Sequence, residues 1–122
     1  MASTPASPSV VLGEFEVVVL LAVLHLVEHD QPAYGSTIRD AIAQRANRPV
    51  ARGAVYVTLD RLESKDLLSS RVGEPTALRD NRPKRLFKVT PAGLKAVRQA
   101  VALVNRMQQG LEPVLRPGRA NS

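Results

Sequence analysis

The chain has 122 residues, 44% of them hydrophobic and 23% charged, which suits one globular domain and argues against wholesale disorder. It contains no cysteine, which excludes disulfide frameworks, thiol catalysis and cysteine-ligated zinc. Seventeen Lys and Arg against eleven Asp and Glu leave a net charge of +6, and for so small a chain that excess points to a polyanionic partner.

The charge is unevenly placed along the chain. Residues 1–38 hold no Lys or Arg, only Glu14, Glu16, Glu28 and Asp30. Residues 39–88 carry twelve basic and six acidic side chains, and residues 89–122 carry five basic ones against Glu112. A secretory leader needs basic residues ahead of its apolar run, and none precedes Arg39. The apolar run Val17–Val27 is eleven residues long and interrupted by His25, well short of the ~18–20 needed to span a bilayer. A soluble, cytoplasmic protein is expected.

Residues 1–11, opening on the Ser-, Pro- and Ala-rich MASTPASPSV, are expected to form a flexible tail. A first helix is predicted over Glu14–His29, apolar around nearly its whole circumference, as befits a helix buried between neighbours or between subunits. Glu14 and Glu16 read as favourable charges at its start. Asp30-Gln31-Pro32 ends it. A second helix is predicted over Tyr34–Ala46, with Ile38 and Ile42 inward and Arg39, Asp40 and Arg45 outward. Asn47-Arg48-Pro49 closes it.

The third helix is expected over Arg52–Lys65. Val55, Leu59 and Leu62 make its core stripe, and the opposite face holds Gly53, Val57, Asp60 and Ser64, flanked by Tyr56. Two extended segments follow, Leu67–Val72 and Arg85–Thr90. The connection Gly73–Lys84, with two prolines and several charges, reads as a mobile hairpin tip. Thr90-Pro91 is a good helix start, a hydroxyl cap followed by proline in the first turn. Leu94, Val97, Val101, Val104 and Leu111 then form a seam interrupted by Gln108, with Pro113 as the expected stop and 113–122 as a frayed tail. So narrow a seam suggests pairing with another helix.

Three helices, a β-hairpin and a last helix, in that order, describe a mainly α winged helix-turn-helix over residues 12–90 with a C-terminal dimerisation helix over 91–112. Such a module places its third helix in the DNA major groove while surrounding basic side chains bind phosphate. Arg79–Lys88 (RDNRPKRLFK), with five basic residues and one acidic, lies where a wing would follow the backbone.

Four stretches resemble the PadR family: Tyr34-Gly35, Gly53-Ala54-Val55-Tyr56, Leu59-Asp60-Arg61-Leu62-Glu63, and Arg85-Leu86-Phe87 leading to Thr90-Pro91-Ala92-Gly93. The likeness covers roughly Leu12–Leu111. It implies a dimeric bacterial transcriptional regulator, usually a repressor, of the small subclass with a single C-terminal helix. It also implies that the first and last helices make the dimer contact. The chain departs from the family pattern at Ala51 (usually serine), Val57 (usually proline), Asp66 (glycine in the family's Lys-Gly-Leu turn) and Leu86-Phe87 (usually paired tyrosines). These departures bear on base readout rather than on the fold.

The expected function is therefore sequence-specific binding of a pseudo-palindromic duplex by a homodimer, with nucleoid association when bound. Expected DNA-contacting residues are Tyr34, Ser36, Arg52, Gly53, Tyr56, Val57, Arg61, Arg82, Lys84 and Arg85. Tyr56 reads either as a DNA-facing hydroxyl or as a core aromatic between helices. Gly53 either relieves crowding at the helix start or lets the backbone approach DNA closely. Expected dimer-interface residues are Val17, Leu20, Leu21, Leu24, Leu94, Val97, Val101, Val104 and Leu111. A small-molecule effector, if there is one, belongs at that interface; no cofactor is expected. The competing reading is a winged-helix protein–protein adaptor without specific DNA binding. His25-Leu26-Val27-Glu28-His29 matches H-x-x-E-H, but these are the only two histidines and no third ligand has an evident context. With no nucleophile elbow, phosphate loop or triad, neither an enzyme nor a metal site is expected.

Overall fold

The computed structural model describes residues 11–73 and 84–117. Most of the expected N-terminal tail, the hairpin tip with Arg82, and the last five residues lie outside the described residues. The order is α1 (Glu14–Glu28), α2 (Gly35–Ala46), α3 (Arg52–Ser64), β1 (Leu68–Val72), β2 (Arg85–Val89), α4 (Pro91–Gln108) and a one-turn α5 (Glu112–Leu115). This is a winged helix-turn-helix with a C-terminal helix, and the elements begin and end within one or two residues of expectation until α4.

One core joins all of them except α5. Val19, Leu20 and Val23 of α1, Ile38 and Ile42 of α2, and Val55, Leu59 and Leu62 of α3 converge on Leu67, Leu68 and Phe87 of the hairpin and Ala96 and Val97 of α4. Each fully buried aliphatic side chain contributes about 1.5–3 kcal/mol, which is what holds three short helices at fixed angles. The stripes Ile38/Ile42 and Val55/Leu59/Leu62 are the inner faces the spacing predicted. In α1 the apolar girdle is split: Val19, Leu20, Ala22 and Val23 face the core, while Leu21 and Val27 are exposed.

The hairpin is antiparallel, pairing Leu68 with Val89, Ser70 with Phe87 and Val72 with Arg85. Its ladder extends outward through the Gly73 N–H to the Lys84 carbonyl (2.6 Å) and inward through the Thr90 N–H to the Leu67 carbonyl (3.1 Å). On the other edge of β2 the Phe87 N–H donates to the Ala33 carbonyl at 3.0 Å, tying the wing to the α1–α2 connection.

The start of α4 is fixed more firmly than a cap alone would do. The Thr90 hydroxyl accepts from the Gly93 N–H at 3.0 Å and donates to the Asp66 carbonyl at 2.7 Å. A Cβ at Gly93 would collide with the Leu67 carbonyl, so this glycine is required by the close approach of the two backbones.

The far end of α4 differs from expectation. The helix stops at Gln108, because Gln109 is extended (ψ 133°) and Gly110 takes φ 88°, a conformation glycine adopts without strain. Pro113 does not end this helix; it lies in the first turn of α5. Leu111, expected on the α4 seam, sits beyond the helix at the cap of α5.

Candidate nucleic-acid interface

The α2–α3 pair is set by two local devices. At the start of α2 the Thr37 hydroxyl accepts from the Tyr34 N–H (2.9 Å) and donates to the Pro32 carbonyl (2.6 Å). At its end Asn47 adopts a left-handed conformation (φ 55°), which asparagine tolerates, and turns the chain toward α3. Arg39, read as an outward charge, donates from Nε to the Val50 carbonyl at 2.9 Å and so fixes the loop that enters α3.

The first half of α3 presents an open surface. Arg52, Gly53 and Ala54 are exposed, Tyr56 is 37% exposed and Val57 56%. A Cβ at Gly53 would meet nothing within 4 Å, so crowding inside the molecule does not account for this glycine. Tyr56 is partly packed and partly open. Its ring lies against the buried Gly35 at the start of α2, where any Cβ would strike it, yet more than a third of the residue faces solvent. The Arg52 guanidinium lies 5.7 Å from the Tyr56 ring centroid, and the Lys84 ammonium 5.2 Å from that of Tyr34. Cations over rings at these distances are attracted by the π-face. Lys84 at the outer end of the hairpin ladder and Arg52 at the start of α3 therefore flank the Tyr34-Gly35/Tyr56 contact. Ser36 is exposed in the first turn of α2. Arg61 is exposed too, and its charge is felt by Glu16.

Arg85, expected as a phosphate contact, has its guanidinium engaged within the protomer. Its guanidinium pairs with Asp60 (Nη1 to Oδ1, 3.4 Å) and with Glu63, and donates to the Ser70 hydroxyl from Nη2 at 3.1 Å. Glu63 and Ser70 were missed by sequence reasoning, although a signal existed. In RLFKV the period-2 alternation puts Arg85 on the same face as Phe87 and Val89, which is the face that packs inward.

Glu16 does more than the favourable first-turn charge expected of it. It is buried, accepting from the Gly13 N–H at the helix cap (2.9 Å) and from the Lys65 ammonium (2.9 Å). Burial pushes its carboxyl up, but the Lys65 and Gly13 hydrogen bonds and the charges of Lys65 and Arg61 outweigh that and hold it below the usual glutamate range. The pair ties α1 to the residue that follows α3.

Among the expected dimer residues, Leu20 is 0% and Val97 2% exposed within a single protomer, so neither has surface left for a partner. Val17, Leu24 and Leu94 are half-buried against the same core. Leu21, Val101 and Val104 are exposed, and so are Leu103 and Met107, which were not anticipated. His25 and His29 stack with ring centroids 6.0 Å apart, and His29 Nδ1 is hydrogen-bonded to the His25 carbonyl, the geometry of a helix end. Among the described residues no group of three or more His, Cys, Asp or Glu could hold a metal ion, and no helix is long and apolar enough to cross a membrane.

The family model for the transcriptional regulator PadR-like family matches residues 23–99, from the middle of α1 through the first half of α4. The chain belongs to this family. Its members are transcriptional regulators rather than enzymes. The transcriptional regulator Rv3488 of Mycobacterium tuberculosis is 34% identical over 76 residues, a stretch that covers 61% of this chain and 66% of that protein. A PadR family transcriptional regulator from Eggerthella lenta superposes with a TM-score of 0.59 at 26% identity, covering 80% of this chain and 82% of its own. A PadR-like transcription factor from Bacteroides fragilis gives 0.62 at 26% identity, over 82% and 88%. The PadR-like match covers the α2–α3 pair, the wing strands and the Thr90–Gly93 start of α4, the four stretches on which the resemblance rests.

Proposed function

We propose that this PadR-like protein is a homodimeric, sequence-specific DNA-binding regulator that represses transcription from a pseudo-palindromic operator. The observation that carries the reading is the exposed first half of α3. Arg52, Gly53, Tyr56 and Val57 lie open there, with cations held beside both tyrosines. A helix N-terminal half free of intramolecular cover is the part that enters a major groove. The basic wing supplies sequence-independent affinity by releasing counterions from phosphate. Leu21, Val101, Val104 and Met107, exposed on α1 and α4, support a two-fold contact between copies. An effector would act between those helices, by changing the separation of the two α3 helices.

The test is selection of bound duplexes from a random library by the full chain, followed by titration against a scrambled duplex. A two-fold symmetric site with half-sites about 34 Å apart and a preference of roughly a hundredfold or more is expected. Weak, salt-labile binding with no preference would overturn the reading and favour the adaptor. A reporter placed behind the selected site distinguishes repression from activation.

A further inference from the structure

Arg85 stands at the start of β2, on the hairpin face that also carries Phe87, Val89, Leu68 and Ser70. That face packs on the second half of α3, where Asp60 and Glu63 lie. The guanidinium reaches both carboxylates, its Nε donates to the Ser70 hydroxyl at 3.3 Å, and the plane lies 5.0 Å from the Phe87 ring centroid. Ser70 completes the circuit by donating to Glu63 Oε2 at 2.7 Å. Nε and both terminal nitrogens of the fork are thus engaged within the protomer.

Two carboxylates on a DNA-binding helix are a liability beside a polyanion. Asp60 is largely exposed and Glu63 about a third exposed. The Arg85 cation is the group that offsets them, and it comes from the wing. We infer that Arg85 is a positioning residue and not a phosphate contact. It locks the outer end of the hairpin strands to α3 and shields Asp60 and Glu63 from the DNA backbone. This assignment rests on the DNA-binding reading above and adds the route by which wing and reading helix hold one mutual orientation.

The experiment is a thermodynamic cycle between Arg85 and its carboxylates, using R85Q, D60N/E63Q and the triple variant. Each is titrated over a salt series with the duplex selected by the unmodified protein and with its scrambled form. R85Q is expected to lose about tenfold on the selected duplex, but less than about threefold when Asp60 and Glu63 are already neutral. On the scrambled duplex its salt slope stays that of the unmodified protein, whereas loss of a phosphate contact lowers the slope by about 0.9. An equal loss in both backgrounds, together with the lower slope, would overturn the assignment. S70A, which keeps every charge, should loosen the same clamp, with a smaller loss in the same direction; no loss would count against it.

A second arm uses the free protein. Amide hydrogen exchange in Leu68–Val72 and Arg85–Val89 should quicken in R85Q while that of α1 stays unchanged. Unchanged exchange in the strands would also overturn the clamp. Because this arm involves no DNA, it can succeed where the DNA-binding reading fails. Failure of the unmodified protein to prefer any duplex would sink only that reading.

Discussion

Asp66 occupies a left-handed backbone position, φ 63°, where the resemblance to PadR regulators places glycine. The turn it makes is needed: its N–H donates to the Glu63 carbonyl at 3.0 Å and its carbonyl accepts the Thr90 hydroxyl. Both are backbone groups, so Asp66→Gly keeps them and removes the Cβ strain. Set against the greater unfolded freedom of glycine, a net gain of about 0.5–1 kcal/mol is expected, read as a higher urea midpoint. A lower midpoint would show that the Asp66 side chain itself stabilises the turn. Glu16 poses the opposite case, a side chain that the fold needs charged. Its native carboxyl is more acidic than in the unfolded chain, so its stabilisation is full above the ordinary glutamate range. It is lost as pH falls through the lowered native value. Glu16→Gln is expected to cost about 1–2 kcal/mol at neutral pH, with the gap from the unmodified protein closing in acid. A gap that stays constant across that range would mean the Lys65 pair contributes nothing.

At the scale of elements, most of the fold was legible because each helix carries its own periodicity and the first three carry their own stop. Ile38/Ile42 and Val55/Leu59/Leu62 mark inner faces, Asn47 and the Thr90-Pro91 pair mark boundaries, and no long-range information is needed to read them. Three features were not legible, each for a physical reason. Glu16 looks like any first-turn carboxylate until Lys65, 49 residues away in sequence, is folded against it. The end of α4 turns on Gly110, whose φ no periodicity reveals. Leu20 and Val97 belong to apolar patterns that fit a partner helix as well as the protomer's own core, and only packing shows that the core takes them. The candidate site was read in outline at α3. What spacing could not supply was the cross-element contacts: Tyr56 on Gly35, Lys84 over Tyr34, and Arg85 turned inward to Asp60 and Glu63.

For the whole molecule, the division of α4 matters most. Its first half, with Gly93, Ala96 and Val97, is part of the core, while Val101, Leu103, Val104 and Met107 stand in solvent. V101E/V104E therefore leaves the protomer core untouched and burdens only the exposed half. In the proposed homodimer it is expected to give a folded monomer with reduced affinity for a two-fold site, since linking two half-sites is what raises affinity. A variant that stays dimeric would place the contact elsewhere. Mechanically, α4 is an arm about 27 Å long whose inner half is seated in the core, where Gly93 presses on Leu67 and Thr90 grips the turn that follows α3. A tilt of the whole arm that carries its exposed end through about 5 Å turns the seated end by roughly ten degrees, given that length. Travel at the far end would thus reach the neighbourhood of α3 as a small rotation rather than as a shift.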